Sequence, residues 1–225
     1  YKFIDRINLV QNTLRQITGF AEIQAGSNSW VVSPAKSQSR SAMLANDPHL
    51  MIQFPSLWLE MTMRTPDMQV AGFSLPGSPG IVIGRNADIA WGLTNGMVDD
   101  CDLFVETIDT LAGVYDVNGQ EKPLSVFQRR IKIKDESDYP LRVFHTENGP
   151  VFSSVFADLP ASQAVSLRWT GFENSDELWT LIQLAKSRSW SDFENALKTF
   201  GSPAQNFLYA DRQGNIGYRL AGYVP

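Results

Sequence analysis

From Ser29 to Trp169 the chain is a succession of short apolar runs broken by turns, and this pattern constrains the fold more than any other feature. In "LWLEMTMR" the residues Leu57, Leu59, Met61 and Met63 alternate with Trp58, Glu60, Thr62 and Arg64, the period of a strand that buries one face. Comparable strand candidates are "SWVVSP", "SAMLAND", "MQVAGFS", "GIVIGRN", "IAWGLTN", "DLFVETI", "RRIKIKD", "LRVFHT", "PVFSSV" and "AVSLRW". Turns rich in Gly and Pro separate them, notably "LPGSPG" at Leu75 to Gly80. Near the C-terminus, "QNFLYADRQGNIGYRLAG" reads as two strands around an Asp-Arg-Gln-Gly turn.

Helical periodicity is confined to three places. Phe3, Ile4, Ile7, Val10, Leu14 and Ile17 fall on one helix face that ends near Gly19. "DELWTLIQLAKS" places Leu178, Leu181, Ile182 and Ala185 on one side, and in "SDFENALKTF" the pair Ser191 and Glu194 fits a capping box. Because helices cluster rather than alternate with strands, an α+β fold with antiparallel sheets fits better than a parallel α/β fold.

A chain of 225 residues with 43% hydrophobic composition can bury a sizeable core. Its net charge of −5 offers no basic stripe to neutralise phosphates, which argues against a nucleic-acid partner. No apolar run approaches the ~20 residues that span a bilayer. The single cysteine, Cys101, cannot form an intrachain disulfide. An opening at Tyr1 and an ending at "GYVP", directly after strand-like residues, lead to the expectation of a piece of a longer protein.

The chemistry-bearing residues are sparse. His49 and His145 are the two histidines, and neither stands in a spacing that suggests zinc. The Gly-x-Ser-x-Gly elbow is missing. "DPHL" taken alone is a turn with a histidine at a strand edge. A serine can nevertheless be activated without a partner side chain. If the backbone is cut between Gly26 and Ser27 in "IQAGSNSWVV", Ser27 gains an α-amine with a reference pKa of about 7.7 to 8.0, able to act as its own base near neutral pH. Gly26 suits such a cut, having no Cβ to obstruct the Ser27 hydroxyl.

"GSNSWVV", "LANDPHL", "GFSLPGSPGIVIGRNADIAWGLTNGMVDDCDLF", "SLRWTG" and "QNFLYADRQGNIGY", in that order, resemble the penicillin acylase family of N-terminal nucleophile hydrolases, from about Gly26 to Pro225. The resemblance implies a four-layer αββα sandwich of antiparallel sheets, represented here by an incomplete fragment. Residues 1–26 would be a spacer-like helix and linker, and 27–225 the N-terminal part of the catalytic β-chain. It implies self-cleavage between Gly26 and Ser27, a zymogen step that makes Ser27 the nucleophile. The backbone N–H of Asn95 and the side-chain amide of Asn206 would form the oxyanion hole, and His49 would position the nucleophile. Without the resemblance, Asn206 reads as a turn or strand-end amide.

On composition alone, Asp99, Asp100 and Asp102 form a solvated turn. The resemblance implies instead a structural calcium held by Asp99, the carbonyl of Cys101 and Asp102, with Asp211 as a further ligand; hard oxygens are what calcium prefers. No organic cofactor is expected. The implied partners are a small-molecule amide substrate and the α-chain of the same precursor, and the implied location is the periplasm or beyond the cell. The family hydrolyses β-lactam side chains, N-acyl homoserine lactones and lipopeptide acyl groups, and the sequence does not choose among them. Phe54 to Met63 reads either as core strand or as the wall of an apolar acyl site. Two other readings stay open: a non-catalytic, calcium-stabilised binding module that keeps Gly26–Ser27 intact, and an acid-base hydrolase using Asp99 and Asp102.

Overall fold

The computed structural model describes residues 26–50, 53–151 and 162–224; the helix expected between Phe3 and Ile17 lies outside them. The described residues form two compact units, one within Cys101–Phe172 and the other within Glu22–Asp100 and Glu173–Pro225. Every strand pairing is antiparallel.

The second of these units begins with β1 (Gly26–Val32) and β2 (Met43–His49), which pair with each other. A meander follows through β3 (Leu59–Arg64), β4 (Gln69–Ser74), β5 (Ile83–Arg85) and β6 (Ile89–Asn95). The Cys101–Phe172 unit holds β7 (Cys101–Asp109), β8 (Val114–Val117), β9 (Gln120–Pro123), β10 (Ser125–Ile131), β11 (Tyr139–Thr146), β12 (Gly149–Pro150) and β13 (Gln163–Trp169). They are ordered β13-β7-β8-β9 in one sheet and β10-β11-β12 in another. The chain then re-enters the unit that holds β1 to β6 with α1 (Glu177–Lys186), α2 (Trp190–Ala196), β14 (Gln205–Asp211) and β15 (Ile216–Ala221). Its six-stranded sheet has the order β15-β14-β6-β5-β4-β3.

The period-two alternation of this sheet decides what lies on each face. Ile89 and Trp91 on β6, with Phe207 and Tyr209 on β14, join Leu181, Leu184 and Phe193 of the helices in one core. Burying each such side chain contributes roughly 1.5–3 kcal/mol. The aromatic rings meet at angles that suit their quadrupoles: Trp190 and Tyr209 at 5.2 Å and 78°, Phe200 and Phe207 at 5.2 Å and 83°. On the opposite face β1 and β2 lie against β6 and β14. The unit thus stacks helices, the six-stranded sheet and the strand pair.

Several local expectations shift. The buried stripe of α1 is Thr180, Leu181, Leu184 and Ala185, whereas Leu178 and Ile182 are 46% and 37% exposed. Thr180 is drawn inward because its hydroxyl lies 2.8 Å from that of Thr199 and 3.2 Å from the Ala196 carbonyl. The cap of α2 is Ser189, not Ser191: Ser189 is extended and accepts from the Asp192 N–H at 3.2 Å, while Asp192 accepts from the Arg188 N–H at 2.9 Å. "RRIKIKD" is displaced, the strand running Ser125–Ile131 instead, and β8 and β9 were not foreseen. Of "PVFSSV", Pro150 closes β12 and Val151 bridges to Ser166.

Candidate active site

β1 carries Ser27 at its start, with Gly26 in register with His49 and Ser27 in register with Pro48. Proline has no N–H, so that position cannot donate to the ladder opposite Ser27. The Ser27 hydroxyl donates instead to the Gly26 carbonyl oxygen at 2.7 Å, across the peptide bond where self-cleavage is expected. His49 Nε2 lies 2.8 Å from Asp47 Oδ2 and 3.4 Å from Asn28 Nδ2. Nδ1 borders Gly26: a Cβ there would sit 3.7 Å from it. The ring therefore adjoins the Gly26 backbone, while the Ser27 hydroxyl is engaged with the carbonyl.

The Asn46 amide ties this strand pair to the sheet. Because β5 pairs with β6 only at Ala90 and Trp91, Leu93 has an unpaired edge. Asn46 of β2 fills it: Nδ2 donates to the Leu93 carbonyl at 3.0 Å, and Oδ1 accepts from the Leu93 N–H at 2.9 Å. The second Nδ2 hydrogen goes to the Asn28 carbonyl on β1, at 2.9 Å. This close approach needs Gly92, where a Cβ would fall 2.9 Å from that of Asn46.

Asn95 ends β6, and on β14 its register partner is Gln205, followed by Asn206 opposite Thr94. Gln205, Phe207 and Tyr209 turn to the helices, so Asn206 faces the β1–β2 side. Asn206 Nδ2 donates to the Asn95 carbonyl at 2.9 Å and to Thr94 Oγ1 at 3.2 Å. Its Oδ1 accepts from the Tyr218 hydroxyl at 2.8 Å. Both amide hydrogens are thus in use, and the amide must release one before it can serve an oxyanion. Gln205 Nε2 donates to Asn95 Oδ1 at 3.0 Å.

Ser27, Thr94, Asn95 and Gln205 line a cavity of about 280 Å³ whose other walls are mainly apolar, including Trp58, Leu75, Ile83, Leu181 and Phe200. An apolar cavity with a few converging polar groups is the usual form of a small-molecule site. Glu177 also lines it, held by the N–H groups of Gly201 and Ser202 at 2.9 and 3.0 Å. Burial raises its pKa, but the hydrogen bonds from Ser175, Ser202 and Gly201 outweigh burial and hold it below the usual carboxylate value.

Asp99 is exposed at the close of one unit, whereas Cys101 and Asp102 open β7 in the other, in register with Trp169 and Arg168. Asp211 organises the β14–β15 turn. Oδ1 accepts from the N–H groups of Gln213 and Asn215, at 3.0 and 2.9 Å, and Oδ2 accepts from Asn215 Nδ2 and the Tyr209 hydroxyl, at 2.9 and 2.8 Å. Burial alone would raise the Asp211 pKa; these bonds, led by the Asn215 amide, lower it. Burial and the same carboxylate push the Tyr209 phenol far up. All four lone-pair positions of Asp211 are taken by protein donors, so it does not suit the ligand role. Among the described residues no group of three or more His, Cys, Asp or Glu is placed to hold a metal.

Sequence reading missed Asn46, Gln205 and Tyr218. Asn46 stood inside "LANDPHL" and the others inside "QNFLYADRQGNIGY", but an amide or phenol in a strand carries no signal until its cross-strand neighbour is known.

The sequence profile of the penicillin amidase family matches residues 4–225. The chain is 27% identical over 228 residues to the acyl-homoserine lactone acylase QuiP of Pseudomonas aeruginosa, a match covering 96% of this chain and 27% of that protein. To penicillin G acylase of Escherichia coli it is 30% identical over 210 residues, covering 92% of this chain and 24% of that one. The solved structure of the thermostable penicillin G acylase from Alcaligenes faecalis superposes with a TM-score of 0.75 at 25% identity, over 88% of this chain and 35% of that chain. The chain therefore spans about a quarter of the length of these curated relatives. Order of motifs, strand arrangement and these matches agree, and the chain belongs to the penicillin amidase family.

Proposed function

We propose that this chain carries the reactive centre of an N-acyl amide hydrolase whose nucleophile, Ser27, is freed by self-cleavage of the Gly26–Ser27 bond. In the first stage Ser27 Oγ attacks the Gly26 carbonyl carbon, the C–N bond breaks as the C–O bond forms with the hydroxyl proton passing to the departing nitrogen, and water hydrolyses the resulting ester. Ser27 is left with a free α-amine. In turnover that amine takes the Ser27 hydroxyl proton while Oγ attacks the substrate carbonyl. Negative charge then collects on the carbonyl oxygen, to be met by the Asn95 N–H and an Asn206 amide hydrogen released from its present acceptor. Collapse expels the amine, which carries off the proton, and water activated by the same α-amine releases the carboxylic acid.

The observation that carries this reading is the Ser27 hydroxyl bonded to the Gly26 carbonyl oxygen at 2.7 Å, on the rim of a cavity that also includes Asn95. The apolar walls favour an apolar acyl group, and the acylase relatives favour an amide substrate. The α-chain of the same precursor would complete the acyl pocket, and a periplasmic location rests on the resemblance alone.

Intact-mass analysis of the full-length precursor, wild type beside Ser27→Ala, tests it. Two chains with a new N-terminus at Ser27 are expected from the wild type and one chain from the variant. A wild-type precursor that stays whole, or a variant that is cleaved at the same bond, sinks the mechanism.

A further inference from the structure

Asn206 is a carboxamide, and a carboxamide rotated by half a turn keeps its shape while exchanging its donor for its acceptor. Only one of the two orientations stabilises an oxyanion; the other presents a carbonyl oxygen to it. What holds the amide the right way round is therefore a functional question. At the nitrogen end the fixing contacts are the Asn95 carbonyl, an acceptor only, at 2.9 Å and Thr94 Oγ1 at 3.2 Å. These are also the contacts that must loosen when Nδ2 turns to a substrate. At the oxygen end, among the described residues, the fixing contact is the Tyr218 hydroxyl at 2.8 Å.

We propose that Tyr218 is a positioning residue of this site, its hydroxyl holding Asn206 Oδ1 so that the nitrogen stays turned to the oxyanion as Nδ2 changes acceptors. The inference rests on the assignment of Ser27 and Asn206 made above. The register supports it: Asn206 pairs with Leu220 and Leu208 with Tyr218, so Tyr218 is the diagonal neighbour of Asn206 on the same sheet face. Tyr218 belongs to the outermost strand and is 58% exposed. Its hydroxyl is therefore spent on Asn206 rather than on sealing a core, and replacement by Phe keeps the ring while removing the one group that matters.

The test uses the processed full-length protein and phenylmethylsulfonyl fluoride, so that no substrate need be identified. Ser27 Oγ attacks sulfur, the S–F bond breaks, fluoride leaves and the hydroxyl proton passes to the α-amine, while charge builds on a sulfonyl oxygen. Labelling is followed by intact mass as a function of reagent concentration, which separates the maximal rate from the apparent affinity. Tyr218→Phe is expected to lower the maximal rate about tenfold, the scale of one lost hydrogen bond, with affinity and melting temperature unchanged. Tyr218→His, which retains a ring donor, is expected to lose less. Tyr223→Phe, which removes a hydroxyl bonded to the Asn174 carbonyl, is expected to match the wild type.

A Tyr218→Phe rate equal to wild type overturns the inference while leaving Ser27 as nucleophile. A slowed rate accompanied by an equal fall in melting temperature assigns Tyr218 a structural role and also overturns it. If Phe at this position does not fold, the His variant decides between the same two outcomes. Absence of label at Ser27 in the wild type removes the underlying assignment, and the inference with it.

Discussion

Asn46 bonds Leu93 with both ends of its amide, donating to the carbonyl at 3.0 Å and accepting from the N–H at 2.9 Å. The side chain imitates a strand at the one stretch of β6 that β5 leaves bare, and it joins the strand pair bearing Ser27 to the strand bearing Asn95. Asn46→Ala leaves two backbone groups of Leu93 without these partners and is expected to destabilise the protein by about 1–3 kcal/mol. Asn46→Asp keeps the shape but removes both donors and sets a carboxylate beside the Asn28 and Leu93 carbonyls, so it is expected to cost at least as much. Urea denaturation of the two variants checks this; an Asp variant as stable as the wild type would show that the amide hydrogens do not hold the layers.

Glu106 gives the other unit a comparable centre. It is 8% exposed, and its Oε1 accepts from Thr146 Oγ1 at 2.8 Å, Asn148 Nδ2 at 3.1 Å and the Ser166 hydroxyl. Oε2 is buried without a hydrogen-bond partner among the described residues. Glu106→Leu strands three donors and is expected to cost about 3 kcal/mol. Glu106→Gln keeps the accepting oxygen and removes the charge, and is expected to stay within about 1 kcal/mol of wild type. Chemical denaturation of both separates a need for the oxygen from a need for the charge; equal losses would refute the distinction.

Asp211 predicts a pH dependence. Its carboxyl lies below the ordinary value of 3.8 in the folded protein. The unfolded state therefore binds the proton more tightly, and the stabilisation is fully present above the unfolded pKa. It declines as pH falls below about 4 and is gone once pH has passed the folded pKa. Asp211→Asn is expected to be less stable near neutrality and to lose less on acidification. Melting temperatures of both proteins between pH 7 and pH 2 test this, and parallel curves would exclude Asp211 as a source of the acid sensitivity.

What could be read in the sequence follows from how local each signal is. The alternation in "LWLEMTMR" places Met61 and Met63 against the core as expected from pleat geometry, whereas Leu57 and Leu59, expected on the same face, are 39% and 50% exposed because the core does not reach that end of the strand. Leu178 and Ile182 defeated the helical reading because apolar residues on two sides of a turn allow two stripes, and the hydrogen bonds of Thr180 to a distant turn chose between them. Ser27, Asn95 and Asn206 were singled out only because the stretches that carry them resemble those of a family. Asn46, Gln205 and Tyr218 escaped because their meaning lies in cross-strand register, set by residues far along the chain.

The two proposed oxyanion donors differ in kind, and that difference yields a sharp expectation. Asn95 would act through its backbone N–H, which any residue except proline supplies, whereas Asn206 would act through its side chain. In the processed full-length protein Asn206→Ala is therefore expected to lower kcat by about 10²–10³. Asn95→Ala keeps the N–H and removes only the acceptor of Gln205 Nε2, so its kcat should fall by less than about tenfold. Hydrolysis of a panel of N-acyl p-nitroanilides measures both. Equal losses would mean that the Asn95 side chain, and not its peptide N–H, does the work, and near-wild-type turnover in Asn206→Ala would remove Asn206 from the oxyanion hole.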